Sequence, residues 1–115
     1  MCKLKVQTWE EPVLAHNHSG QERFGLSAAL TTPFDADGKI DVSRALKHAR
    51  ARLDNGCSSV TLFGTTGEGS SIADAERAAL LDAFIAGGFP ASNIVVGVME
   101  NSVADAVLQS ADALR

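Results

Sequence analysis

The chain has 115 residues, 45% of them apolar and 21% charged, with a formal net charge of −4 at pH 7. This is the composition of an ordinary globular protein, and its mild acidity argues against a nucleic-acid surface, which needs a basic face. No apolar stretch is long enough to span a bilayer, and two widely spaced cysteines, Cys2 and Cys57, predict no disulfide framework and a reducing, cytoplasmic setting.

In chain order, residues 1–22 are mixed and aperiodic, punctuated by Pro12 and Gly20, and predict an irregular extension ahead of a domain over residues 23–115. Met1–Val6 lacks the apolar core of a signal peptide. His16 and His18 stand two residues apart in this arm, but three histidines and an irregular segment favour solvated side chains, and no metal site is predicted. From Gly25 to Leu30 a short apolar run ends at Thr31-Thr32-Pro33, as a strand buried on both faces would. Asp35-Ala36-Asp37-Gly38 is a turn. Val42, Leu46, Ala49 and Leu53 then form a helical stripe with Arg44, Lys47 and Arg50 turned outward, and Gly56 follows where a helix C-terminal glycine belongs.

A second strand is predicted over Ser59–Phe63 and a second helix from Asp74 to Ala86, with Ala79, Leu80, Ala83 and Phe84 on one face. Asp74 and Glu76 in its first turn suit the helix dipole, whereas Ala73 stands where a capping hydroxyl is common. Gly87-Gly88-Phe89-Pro90 ends this helix, Ile94–Val98 is a third strand, and a last helix uses Val103, Val107, Ser110 and Leu114. Strands alternating with helices predict an α/β fold with a parallel sheet and right-handed crossovers. The spacing fits the units of a barrel and of an open doubly wound sheet equally well.

The chemistry concentrates between the second strand and second helix, in Gly64-Thr65-Thr66-Gly67-Glu68-Gly69. Gly64 and Gly67 let the backbone turn sharply and approach a ligand, since neither carries a Cβ. Between them, two hydroxyls and a row of N–H groups precede a helix N-terminus, an arrangement suited to a carboxylate or phosphate. The plainer alternative is a Thr-Thr turn that only caps the helix. The glycine spacing matches neither the dinucleotide fingerprint nor the phosphate loop, whose lysine is absent. Cys57, just before a strand, reads as a small buried hydrophobe.

Val60-Thr61-Leu62-Phe63-Gly64-Thr65-Thr66-Gly67-Glu68 resembles the segment after the second strand of the pyruvate-dependent aldolase family that includes dihydrodipicolinate synthase and N-acetylneuraminate lyase. The resemblance extends to Leu26–Phe34 with its Thr-Pro-Phe turn, to Asp37-Gly38-Lys39-Ile40-Asp41, and to Asn93–Val98 with Asn101 beyond it. It runs from about Phe24 to Arg115 and departs from the family at Met99-Glu100, where relatives show a second glycine.

The resemblance implies the first three β/α units of a (β/α)8 barrel, incomplete because such a barrel takes about 250 residues. It implies a lyase that joins pyruvate to an aldehyde, or separates them, through a Schiff base on a lysine. Thr66 would hold the carboxylate of pyruvate or another 2-oxo acid, Thr65 would belong to a catalytic proton relay, and Gly64 and Gly67 would shape the loop. Threonine at position 65 leans toward dihydrodipicolinate synthase. Neither a metal nor an organic cofactor is implied, since the lysine serves as electron sink; homo-oligomers, commonly tetramers, are. Relatives carry that lysine and the relay tyrosines further along. Here the lysines are Lys3, Lys5, Lys39 and Lys47, there is no tyrosine, and these 115 residues alone are expected to be inactive. Two alternatives stand beside this reading: a non-catalytic remnant that folds with another chain, and a small α/β module that binds an anion at Thr65–Thr66.

Overall fold

A computed structural model describes residues 25–115, so the extension predicted over residues 1–22 and the arm histidines lie outside the described residues. Among the described residues six strands and α-helices alternate: β1 (Ser27–Ala29), α1 (Val42–Asp54), β2 (Ser59–Leu62), α2 (Asp74–Ala86), β3 (Ile94–Val96) and α3 (Val103–Ala113). The strands form one parallel sheet in the order β1-β2-β3, with Ser27 beside Ser59 and Val60 beside Ile94. Central β2 is almost wholly buried, as a parallel strand covered on both faces must be.

Local chemistry sets the helix ends. The Asp35 carboxylate accepts from the Asp37 and Lys39 amides, each at 2.9 Å, which folds the predicted turn. Asp41 then caps α1 by accepting from the Arg44 amide at 2.9 Å. At the other end Gly56 takes φ +103°, the Gly56 amide bonds the Leu53 carbonyl, and the Cys57 amide bonds the Arg52 carbonyl. This paired pattern requires the left-handed conformation that glycine adopts without steric cost. Cys57 itself is a half-buried free thiol.

Helix α2 is capped by Ala73, whose extended backbone has the right shape but whose methyl cannot accept a hydrogen bond from the first-turn amides. Ala73→Ser is therefore expected to stabilise the protein by about 1 kcal/mol; an unchanged urea midpoint would show that the first-turn amides are already satisfied.

Leu30, Ala45, Ala49, Val60, Leu62, Phe63, Ile72, Leu80, Phe84 and Phe89 make the core between sheet and helices. Phe84 packs on Phe89 with ring centroids 4.8 Å apart. Two expected faces need correction. On α2 the buried residues are Arg77, Leu80 and Phe84, while Ala79 is exposed. On α3 the stripe of Val103, Val107 and Leu114 faces outward, at 83%, 61% and 87% exposure, and Gln109 is buried instead. The reason is that α3 lies against α2 through its polar side, where partners for Gln109 are waiting.

Candidate functional site

Strand β2 ends at Leu62, one residue short of the expected Phe63, because Phe63 turns into the left-handed region at φ +59°. Phe63 is completely buried, and a left-handed bulky residue is rare enough to mark a place where the surroundings dictate the backbone. Glu68, at φ +55°, is the second such residue. The left-handed positions thus flank the Gly64–Gly67 segment instead of falling on its glycines. Gly67 is needed for close approach: a Cβ there would sit 2.9 Å from the Leu30 carbonyl oxygen. Gly64 has no such neighbour, the nearest atom being the Thr61 methyl at 3.9 Å.

Inside this frame Thr65 and Thr66 occupy an exposed turn beyond the carboxyl end of β2. The Glu68 amide bonds the Thr65 carbonyl and the Gly69 amide bonds the Gly64 carbonyl, each at 3.1 Å, closing the turn. The Thr32 hydroxyl, at the end of β1, donates to the Gly67 carbonyl at 2.7 Å. Among the described residues, neither the amide nor the hydroxyl of Thr65 or Thr66 has a hydrogen-bond partner. Donors left free at a strand end can receive an anionic ligand. A 3-10 turn (Gly69–Ser71) separates the loop from α2, which starts at Asp74 as expected. Neither threonine caps α2; that position belongs to Ala73.

Sequence reasoning missed the residue that braces this loop. Arg77, on α2, is 3% exposed. Its guanidinium donates to the Gly69 carbonyl at 3.2 Å and to the Gly97 carbonyl just past β3, and lies 4.4 Å from the centre of the Phe63 ring. Burial pushes its pKa below the ordinary value, with the charges of Asp74 and Glu100 pulling it back. Those two carboxylates are bridged by Gln109, whose Nε2 donates to Asp74 at 3.0 Å and Glu100 at 2.7 Å while its Oε1 accepts from the Met99 amide. Glu100, singled out as a departure at a strand end, is thus part of this network. The signal that could have revealed Arg77 is its place on α2, three residues before Leu80 and seven before Phe84, on the apolar stripe.

A separate groove of 940 Å³ opens between α2, β3 and α3, lined by Leu81, Ile85, Ile94, Val96 and Leu114 among others, and neither Thr65 nor Thr66 borders it. Among the described residues no cluster of three His, Cys, Asp or Glu side chains could hold a metal, and no helix is long and apolar enough to cross a membrane.

Residues 22–114 match the dihydrodipicolinate synthetase family. The chain belongs to that family. A 4-hydroxy-tetrahydrodipicolinate synthase from Prochlorococcus marinus (strain MIT 9211) is 35% identical over 91 residues, which is 78% of this chain and 30% of that protein. The crystal structure of dihydrodipicolinate synthase from Agrobacterium tumefaciens str. C58 superposes with a TM-score of 0.78 at 59% identity, covering 80% of this chain and 32% of that one. A Sulfolobus solfataricus 2-keto-3-deoxygluconate aldolase variant is more distant, with a TM-score of 0.63 at 26% identity over 74% of this chain and 28% of that one. The chain therefore spans about 30% of the length of the dihydrodipicolinate synthetase relatives it matches. Of the two sheet architectures left open by the spacing, the family selects the barrel, and β1–α3 are its first three β/α units.

Proposed function

We propose that this chain supplies the carboxylate-holding corner of a pyruvate-dependent lyase. The observation that carries this reading is the pair of exposed threonines with unpartnered donors, held at the carboxyl end of a parallel strand in a dihydrodipicolinate synthetase family chain. Barrel enzymes of this architecture work at that face. Thr66 holds the pyruvate carboxylate through its N–H and hydroxyl, and Thr65 passes a proton in a relay whose other members lie outside these residues. Gly67 supports the loop by letting it approach Leu30; Gly64 serves only as a permissive position.

The covalent step asks for a lysine amine that adds to the keto carbon of pyruvate, expels water and yields an enamine able to attack an aldehyde. Lys39 lies in the exposed turn and Lys47 on the exposed side of α1, neither of them at the end of a buried strand. A lysine elsewhere in the working protein is therefore part of the proposal, as are a homo-oligomeric assembly and a cytoplasmic location. The 115 residues alone are proposed to be inactive.

The test is the intact mass of the protein from its native source, before and after pyruvate plus borohydride. One trapped pyruvate on a polypeptide of family length is expected, with Thr66→Val lowering pyruvate affinity about tenfold through loss of one hydrogen bond to a charged group. A native product near 12 kDa that takes no adduct would sink the lyase reading and leave binding as the function to seek.

A further inference from the structure

We propose that Arg77 is a positioning residue that clamps the Phe63–Gly69 loop onto the end of β3 and thereby sets where the Thr65 and Thr66 donors point. What those donors hold rests on the lyase reading; the clamp itself rests on geometry. One side chain touches the residue that opens the loop (the Phe63 ring), the residue that closes it (the Gly69 carbonyl) and the neighbouring strand end (the Gly97 carbonyl). The two backbones it joins are already in close contact, since a Cβ on Gly97 would lie 2.6 Å from the Phe63 carbonyl oxygen.

Space filling does not account for a cation here. No carboxylate of the described residues makes an ion pair with Arg77, although Asp74 and Glu100 are near enough to influence its charge. A buried charge without a paired partner is an expensive way to fill a core position that methionine or leucine would fill. A planar guanidinium can, however, donate from two nitrogens to two separate carbonyls while stacking on a ring, which no apolar side chain and no single ammonium can do. Gln109 holds Asp74 and Glu100 in place and so keeps compensating negative charge at a fixed distance. The cation is retained where the Phe63–Gly69 loop and the end of β3 must be held in register.

The experiment uses the whole native polypeptide as wild type, Arg77→Met and Arg77→Lys, read by hydrogen exchange and by pyruvate kinetics. Met keeps the length and apolar volume; Lys keeps the charge but puts every donor on one atom. In both variants exchange across residues 63–71 is expected to accelerate about tenfold while the α1 peptide stays unchanged. The pyruvate KM of Arg77→Met is expected to rise about tenfold with a smaller change in kcat. Wild-type exchange across the loop, or equal acceleration in loop and α1, overturns the clamp. So does a fall in kcat at unchanged KM, which is the signature of lost folded protein. Should Arg77→Met fail to fold, Arg77→Lys decides; failure of both makes Arg77 a requirement of the fold and overturns the positioning role. A wild type that turns over no pyruvate sinks the lyase reading alone, and exchange then judges the clamp by itself.

Discussion

Gly69→Ala is expected to destabilise the protein by about 3 kcal/mol or more, the upper part of the range for overpacking a tight interior. The added Cβ would land on the Phe63 carbonyl oxygen and sit 2.6 Å from its carbonyl carbon. These are backbone atoms of a fully buried residue, so no rotamer change can make room. Against a total stability of about 5–15 kcal/mol for an ordinary domain, that loss is severe. Gly64→Ala is the control within the same motif. Its Cβ meets only the Thr61 methyl at 3.9 Å, so the effect should stay within about 0.5 kcal/mol of wild type. Urea unfolding of both variants checks the pair, and equal midpoints would contradict the close packing of Gly69 on Phe63.

Phe63→Ala is the second large effect, at about 3–5 kcal/mol for loss of a fully buried ring. It also removes the face on which the Arg77 guanidinium lies. The informative comparison is Phe63→Gly. Alanine at φ +59° keeps the backbone penalty of about 1–2 kcal/mol, whereas glycine does not, at a cost of roughly 0.5–1 kcal/mol in unfolded-chain entropy. Glycine should therefore be no less stable than alanine at this site, the reverse of their order in an ordinary strand. A glycine variant clearly less stable than the alanine one would mean that Phe63 carries no backbone penalty.

What could be read in the sequence was what local pattern decides. Helix α2 begins at Asp74 and ends at Ala86 as expected, because Asp74 and Glu76 mark its first turn and Gly87-Gly88-Phe89-Pro90 stops it. The end of α1 followed from Gly56, whose conformation is fixed by the turn it closes. Illegible were features decided between elements. Phe63 looked like the last residue of a strand, yet contacts with Gly69, Gly97 and Arg77 turn it into the left-handed region. The outward stripe of α3 has the spacing of a core face; partners outside the helix, Asp74 on α2 together with Met99 and Glu100 just ahead of α3, accompany the burial of Gln109 instead. At the site, the Thr65–Thr66 loop was visible from composition and resemblance, and its support by Thr32 and Arg77 was not.

The sheet order has a consequence for how the chain acquires its shape. Each strand pairs with the one made just before it, and partners lie roughly thirty residues apart, so each closure carries a modest, nearly constant entropy. Structure can therefore grow in the direction of synthesis, one strand and helix at a time, without waiting for a distant segment to return. The Arg77 contact with Gly97 belongs to that sequence of events: it can form only once β3 has docked. The threonine loop therefore gains its last tie late, with the arrival of the third strand, and a ribosome-bound chain that stops before Gly97 should hold the loop only through Thr32 and the Arg77 contacts with Gly69 and Phe63.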